Sequence, residues 1–436
     1  MKTQIEGTMT NPTTSTEDSV HHGIRKYDHT DFGRLKRQHN IMMLVGNGFD
    51  IAALSLLNAR YRTDYQSFFF YLKSMNFNAE NMIFRKMDEL RQEHEEQRGQ
   101  GKDGFPNWSD FEARLQEFVS GPGPINFVKL RGDLAEIQRH FSSFLDLVVS
   151  PDLLNELDRK AQSQQWAYCT FSRFLGDLDS NAYQYLALPS KTDHYDLFNF
   201  NIINFNYTFL LDNYLYLDQE QFDPHPNTTV DTNFQFRRNP RNHLYPSECY
   251  PRPNAETGCS AYLMTEIHHP HGMQTVPRSL LFGIDGTDQD ANQGSSHKFE
   301  KIFWAQTSRR YRKMIEESEF FIIFGSSIGE TDRWWWRHIL RRVSEGAELM
   351  IYKYVSSDVQ VDGQASPKAI ETRFINNNYD PTLFGGRELD ADLFGALSLR
   401  VHAITYSDNK TLSAFGFNPA IFKPLDRDPE HVPVPR

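Results

Sequence analysis

Along the chain, short unbroken apolar runs alternate with longer stretches in which apolar residues recur every three or four positions. A continuous apolar run bounded by turn residues reads as a strand buried on both faces, and the three-to-four spacing reads as an amphipathic helix. The first run, Ile41-Met42-Met43-Leu44-Val45, is closed at once by Gly46-Asn47-Gly48. Further strands are expected from Ile202 into Asn206-Tyr207-Thr208, and at Met264–His268, Leu280–Ile284, Phe320–Phe324, Glu348–Tyr354 and Arg400–Tyr406. Helices are expected after Asp50, and after Thr63 or Asp64 as N-cap with Phe68, Tyr71 and Leu72 on one face. Others are expected over Asn81–Glu95, through Leu130, Leu134, Ile137, Phe141, Leu145 and Val148, through Leu153, Leu154 and Leu157, and over Lys298–Ser318 and Arg333–Arg342. Ser109 followed by Glu112 has capping-box spacing, so Glu112 reads as a capping carboxylate in preference to an active-site acid.

Strands alternating with helices predict an α/β protein with a doubly wound, mostly parallel, Rossmann-like sheet. Residues 1–38 are polar and aperiodic and read as a mobile arm, and 39–417 read as a single domain. Within it, about 80–180 form a helical insertion, expected to cover a site as a lid or to mediate self-association. About 218–261 is an irregular excursion rich in Pro, Asn and Asp, and 418–436 is an extended tail.

In such a sheet, residues that follow the strands lie along one edge, where ligands bind. Four polar clusters qualify: Gly46-Asn47-Gly48, Asn206-Tyr207-Thr208, His271-Gly272 and Gly325-Ser326-Ser327. Amides at the first glycine turn, with the positive end of the following helix, could hold a phosphate, and glycine would let a pyrophosphate approach. The third small position of a dinucleotide fingerprint is Ile51, however, so a plain tight turn fits as well. Asp50 would repel a phosphate and reads as a helix cap or as an acceptor for ribose hydroxyls. A polar strand end such as Asn206 costs about 1–3 kcal/mol if buried without a partner. His268, His269 and His271 suggest a metal, but no carboxylate or cysteine has convincing ligand spacing, and no metal is assigned. His21-His22 reads as a solvated pair. Trp334-Trp335-Trp336 would encircle a helix, so part of it is expected in the core or an interface rather than stacking on bases.

Composition narrows the partners. The 436 residues include 34 Phe and 19 Tyr, enough for a well-packed core. A formal net charge of -11 disfavours indiscriminate binding to nucleic acid or anionic membrane. Cys169, Cys249 and Cys259 show no paired spacing and read as reduced thiols. With neither an apolar leader nor a run long enough to span a bilayer, a cytoplasmic protein without membrane contact is expected.

Five segments together resemble the abortive-infection AbiH family of bacterial phage-defence proteins. They are Leu44–Asp50, Trp108-Ser109-Asp110-Phe111-Glu112, Asn204–Thr208, His271-Gly272 and Phe324–Asp332, in the family's order. Where the family continues the first motif with an Ala-His-Gly-Leu-like run, Ala52-Ala53-Leu54-Ser55 stands here. The same series is more distantly similar to sirtuin-like NAD-consuming domains. That resemblance implies Asn206 and His271 as catalytic residues. It implies Gly325 with Ser326 or Ser327 as the turn that holds the nucleotide ribose, and the expected nucleotide site also takes in Gly46, Asn47, Gly48, Phe49, Asp50, Tyr207, Gly272 and Asp332. The implied ligand or substrate is NAD or a related nucleotide, with no further cofactor required, cleaved at its N-glycosidic bond. The cysteine zinc module of sirtuins is missing, which argues against protein deacylation. The alternative is a nucleotide-binding sensor or toxin scaffold that acts without hydrolysis, through itself as a homo-oligomer, a defence partner protein or nucleic acid.

Overall fold

In a computed structural model, residues 23–98, 106–120, 126–222, 232–238, 258–281, 305–355, 366–407 and 412–415 are described. The apolar run at Ile41 lies within β1 (Gln38–Val45), the centre of a seven-stranded sheet. β1 pairs in parallel with β2 (Leu197–Asn204) on one side and β5 (Phe320–Phe324) on the other. Beyond β2 lies β4 (Gly258–His268), parallel to it, and the antiparallel edge strand β3 (Phe234–Arg237). Beyond β5 follow β6 (Glu348–Tyr354) and β7 (Val401–Tyr406), both parallel. The order is therefore β3-β4-β2-β1-β5-β6-β7, and chain direction across the sheet reverses at β1. The protein is α/β, with a mixed, mostly parallel sheet.

Alternation along β1 divides its side chains between two cores. Ile41, Met43 and Val45 enter the larger apolar cluster, and Met42 and Leu44 enter the cluster on the opposite face. On the first face lie α1 (Gly48–Leu56), α2 (Tyr65–Ser74), α3 (Met82–Arg98), α4 (Trp108–Ser120), α5 (Phe127–Val148), α6 (Pro151–Gln164) and α7 (Trp166–Arg173). Short helices α8 (Ser180–Tyr185), α9 (Leu188–Lys191), α10 (Leu210–Leu215) and α11 (Gln219–Phe222) complete the links around β2. The other face is covered by α12 (Thr307–Glu317), α13 (Arg333–Ser344), α14 (Pro367–Asn378) and α15 (Ala391–Ser398).

The expected helical insertion is continuous with the core. Phe68 of α2 packs on Phe141 and Phe144 of α5, with ring centroids 4.8 and 5.4 Å apart. Local signals start these helices: Asp64 Oδ1 accepts from the Ser67 amide at 2.7 Å, and Asn126 and Ser150 cap α5 and α6.

Several expectations change. The excursion at 218–261 contains α11, β3 and the first residues of β4, whose Cys259 and Ala261 are buried. A strand at Leu280 does not form: Pro277–Ser279 is a 3-10 turn, and 282–284 fall outside the described residues. The helix expected from Lys298 is described from Thr307, and 298–304 fall outside. Within the expected arm, Ile24 and Leu35 are buried and Phe32 stacks near Tyr262, with centroids 4.5 Å apart. Residues 1–22, Cys249 and the tail at 418–436 lie outside the described residues.

Candidate functional site

Register places the ends of three strands side by side, because Val45 lies opposite both Asn204 and Phe324. The turns that follow are therefore forced together. Gly46 N donates to Phe324 O at 2.9 Å, Gly48 N to Gly325 O at 2.7 Å, and Phe49 N to Gly46 O at 2.9 Å. A Cβ on Gly48 would sit 2.7 Å from Gly325 Cα, and one on Gly46 would sit 2.9 Å from Gly325 O. Glycine is needed here because two backbones interlock, not to admit a pyrophosphate. The amides of Gly46, Gly48 and Phe49 are spent on carbonyls, so these three do not serve the phosphate cradle expected from the motif.

Over this junction lies a cleft of about 290 Å³. Gly46, Asn47, Gly48, Asp50, Asn206, Tyr207, His271, Gly325, Ser326, Ser327 and Asp332 all line it. Two expected site residues do not. Phe49 is fully buried against Tyr214, Phe324 and Phe415, so its aromatic side chain serves the core. Gly272 has φ +92°, and a Cβ there would lie 2.0 Å from Ser279 O, so it is a turn glycine.

The polar side chains in the cleft differ in what they hold. Asn206 is 3% exposed, and neither its Oδ1 nor its Nδ2 has a hydrogen-bond partner. Its backbone is fixed by an N–H donated to Asn204 Oδ1 at 3.0 Å, so the amide is presented rigidly. His271, buried beneath Phe205 with centroids 4.9 Å apart, places Nε2 3.2 Å from Asp332 Oδ1. Asp50 is not the cap of α1; its Oδ2 accepts from Thr208 Oγ1 at 2.7 Å, and its Oδ1 has no partner. Burial pushes the Asp50 carboxyl up to about 7, the Thr208 hydrogen bond opposing and nearby Asp212 adding to the rise. Asn47 reaches sideways: Thr63 Oγ1 donates to its Oδ1 at 2.8 Å. Ser326 Oγ accepts from the Ile328 amide at 3.0 Å, and Tyr207 Oη donates to Leu281 O at 2.8 Å.

Reading by pattern missed part of the wall. The cap of α4 is Asn107, not Ser109: Asp110 N donates to Asn107 Oδ1 at 3.1 Å, and Asn107 N donates to Asp110 Oδ2 at 2.8 Å. That reciprocal pair, two residues upstream of the expected box, releases Glu112. Glu112 lines the cleft and accepts from Thr331 Oγ1 at 2.6 Å. Trp108 beside it donates Nε1–H to Thr63 O at 3.0 Å. The sequence signal for this wall is the segment Trp108–Glu112, one of the five that resemble the family series. Thr208, a strand-end residue in the sequence pattern, proves to be the donor to Asp50.

The three histidines diverge. His268 Nε2 lies 3.7 Å from Glu266, His269 Nε2 lies 3.0 Å from Asp212 Oδ1, and His271 turns to Asp332. Trp334, Trp335 and Trp336 are all buried, where only part of the run was expected to be, and Trp336 Nε1 donates to Gly329 O at 3.1 Å.

An α/β chain with a polar cleft at the carboxyl edge of a mostly parallel sheet defines the class. Residues 42–354 match the family model described as bacteriophage abortive infection AbiH, and the chain belongs to that family. No curated protein and no solved structure matches it. Among the described residues no helix is long and apolar enough to cross a membrane.

Proposed function

We propose that the protein acts in abortive infection by binding NAD or a related nucleotide in this cleft and hydrolysing its N-glycosidic bond. The observation that carries this reading is the Asn206 amide, buried at a sheet edge with both polar atoms unpartnered. Leaving such a group unsatisfied costs about 1–3 kcal/mol, which a ligand or an ordered water would recover. The strand order supports it too. Six parallel strands are laid down outward from β1, first to one side and then to the other, the arrangement in which dinucleotides bind at the switch point, and the resemblance to sirtuin-like domains belongs to the same reading.

Under this proposal Asn206 orients a water and the ribose hydroxyls. His271 Nε2 lies 3.2 Å from Asp332 Oδ1, and in this scheme the ring turns its other nitrogen, Nδ1, to the water. The water oxygen bonds to the anomeric carbon as the carbon–nitrogen bond breaks, and the bonding pair leaves with nicotinamide. The imidazole takes the water's proton. Glu112 meets the positive charge that develops on the sugar, joined by Asp50 once its carboxyl, near 7, has ionised. No further cofactor or metal enters this scheme.

Release of nicotinamide from NAD by the purified full-length protein tests it, alone and with phage lysate. Asn206→Ala and His271→Ala should each lower release by about 100-fold or more. Absence of release under every condition sinks hydrolysis.

One observation favours the non-hydrolytic alternative: the amides of Gly46, Gly48 and Phe49, which a hydrolase would turn to a pyrophosphate, are already taken. In that case the cleft reads a nucleotide as a signal and acts through a second copy or a defence partner. Protection against phage would then survive His271→Ala.

A further inference from the structure

Helix α5, whose Phe141 and Leu145 line the cleft, also carries Gln138, Ser142 and Asp146. Their four-residue spacing sets them in one row along the helix. All three bond to a single irregular segment, residues 271–281, which begins at His271. Gln138 Nε2 donates to Leu280 O at 2.6 Å, Ser142 Oγ donates to Gln274 O at 2.7 Å, and Gln274 Nε2 donates to Asp146 Oδ1 at 3.1 Å. Ser142 and Gln274 are both buried.

Tyr207, next to Asn206 in the chain, holds the same segment at two points. Its carbonyl accepts from Gln274 N at 2.8 Å, and its hydroxyl donates to Leu281 O at 2.8 Å. Leu281 N in turn donates to His271 O at 2.9 Å, which closes the segment into a loop. A buried stretch outside helix and sheet must find other partners for its backbone, and those partners fix where it lies. Here they come from α5 and Tyr207. The imidazole at the head of the loop lies against Phe205 and meets Asp332, so its place in the cleft follows from where the loop is pinned.

We propose that α5 sets His271 in the cleft: Gln138, Ser142 and Asp146 are positioning residues that act through Gln274 and Leu280, pressing the loop onto Tyr207. The helix is a fixed buttress of the site, and a single row of polar side chains ties the helical insertion to the sheet edge. The inference rests on the reading of the cleft only in that His271 meets the ligand there, and not on hydrolysis.

Magnetic resonance of the full-length protein labelled at histidine tests it, with the His271 ring signals identified by their loss in His271→Ala. Ser142→Ala and Gln138→Ala should each move those signals, while the signals of His39, at the other end of β1 from the cleft, stay in place. Ser142→Thr, which keeps the hydroxyl, should restore the wild-type position. In nicotinamide release, kcat should fall about tenfold in each alanine variant with KM within about twofold, because alignment of the base is lost while the ligand's other contacts persist. Melting temperatures within a few degrees of wild type show that the variants fold. If Ser142→Ala unfolds, Gln138→Ala, at a half-buried position, carries the test. The proposal is overturned if the His271 signals stay in place in the folded alanine variants, or if those of His39 move as far, which would mark a general loosening. Movement of His271 alone, together with no nicotinamide release from wild type, would retain the positioning role and overturn only the hydrolytic reading.

Discussion

The two edges of the sheet bury similar side chains to opposite ends. At the amino edge, fully buried His39 places Nε2 3.0 Å from Asp196 Oδ2 and Nδ1 2.5 Å from Glu319 Oε1. Asp196 also accepts from the Asp193 amide at 2.7 Å, and buried Glu348 accepts from the amides of Ala187 and Leu188 at 2.6 and 3.0 Å. At the carboxyl edge, Asn206 has no partner for either polar atom, and Asp50 has none for Oδ1. Burial of polar groups is common to both edges, so it does not mark function. What differs among these groups is satisfaction: His39 and Glu348 lock strand ends together, whereas Asn206 and Asp50 line the cleft with polar atoms still unpartnered.

Breaking the satisfied edge should produce the largest loss. His39→Leu strands the Asp196 and Glu319 carboxylates and should cost about 3–5 kcal/mol in a denaturant titration. Its two carboxylates raise the His39 pKa, against a desolvation that lowers it and is the largest single contribution. The folded value therefore lies above the ordinary one, and the contribution is complete below about 6.5 and is lost as pH rises through the folded value. The gap between wild type and His39→Leu should narrow accordingly at alkaline pH. An unchanged gap would mean that His39 stabilises by packing alone.

At the other edge the sign reverses. Asp50 has its carboxyl near 7 in place of the ordinary 3.8, so the folded chain keeps a proton that the unfolded chain has released between those values. Stability falls as pH climbs through that window and levels off above it. Asp50→Asn removes the penalty and should gain up to about 4 kcal/mol at pH 8, with no gain near pH 3. Equal melting temperatures for the two proteins at pH 8 would refute a desolvated Asp50.

The smallest effect on stability, and the sharpest contrast, belongs to Asn206→Ala. Removing an unsatisfied buried amide should leave stability unchanged or raise it by about 1–2 kcal/mol while ligand binding is lost. A loss of more than about 1 kcal/mol would place Asn206 with the structural edge.

Much of this was legible from sequence for a specific reason. The apolar runs at Ile41, Phe320 and Glu348 are long enough to demand burial on both faces, and a strand buried on both faces belongs in a covered, mostly parallel sheet. Their polar sequels must then share an edge, so eleven expected residues could be brought to one cleft before any coordinates. Where pattern failed, two local solutions competed. Ser109–Glu112 and Asn107–Asp110 both have capping-box spacing, and only the direction of chain entry into α4 selects the second. β3 was hidden because four residues, Phe234–Arg237, carry too little periodicity to stand out from a Pro- and Asn-rich stretch.

The sequence by itself determined which segments must be buried, and therefore the α/β layering and the edge on which chemistry can sit, because hydrophobic period is a local property. Only the tertiary structure decided why Gly46 and Gly48 are glycines and which carboxylates reach the cleft. Those facts depend on the distance between Gly48 and Gly325, or Glu112 and Thr331, which strand register and helix docking set. Residues hundreds of positions apart acquire a separation only when the chain has closed around them.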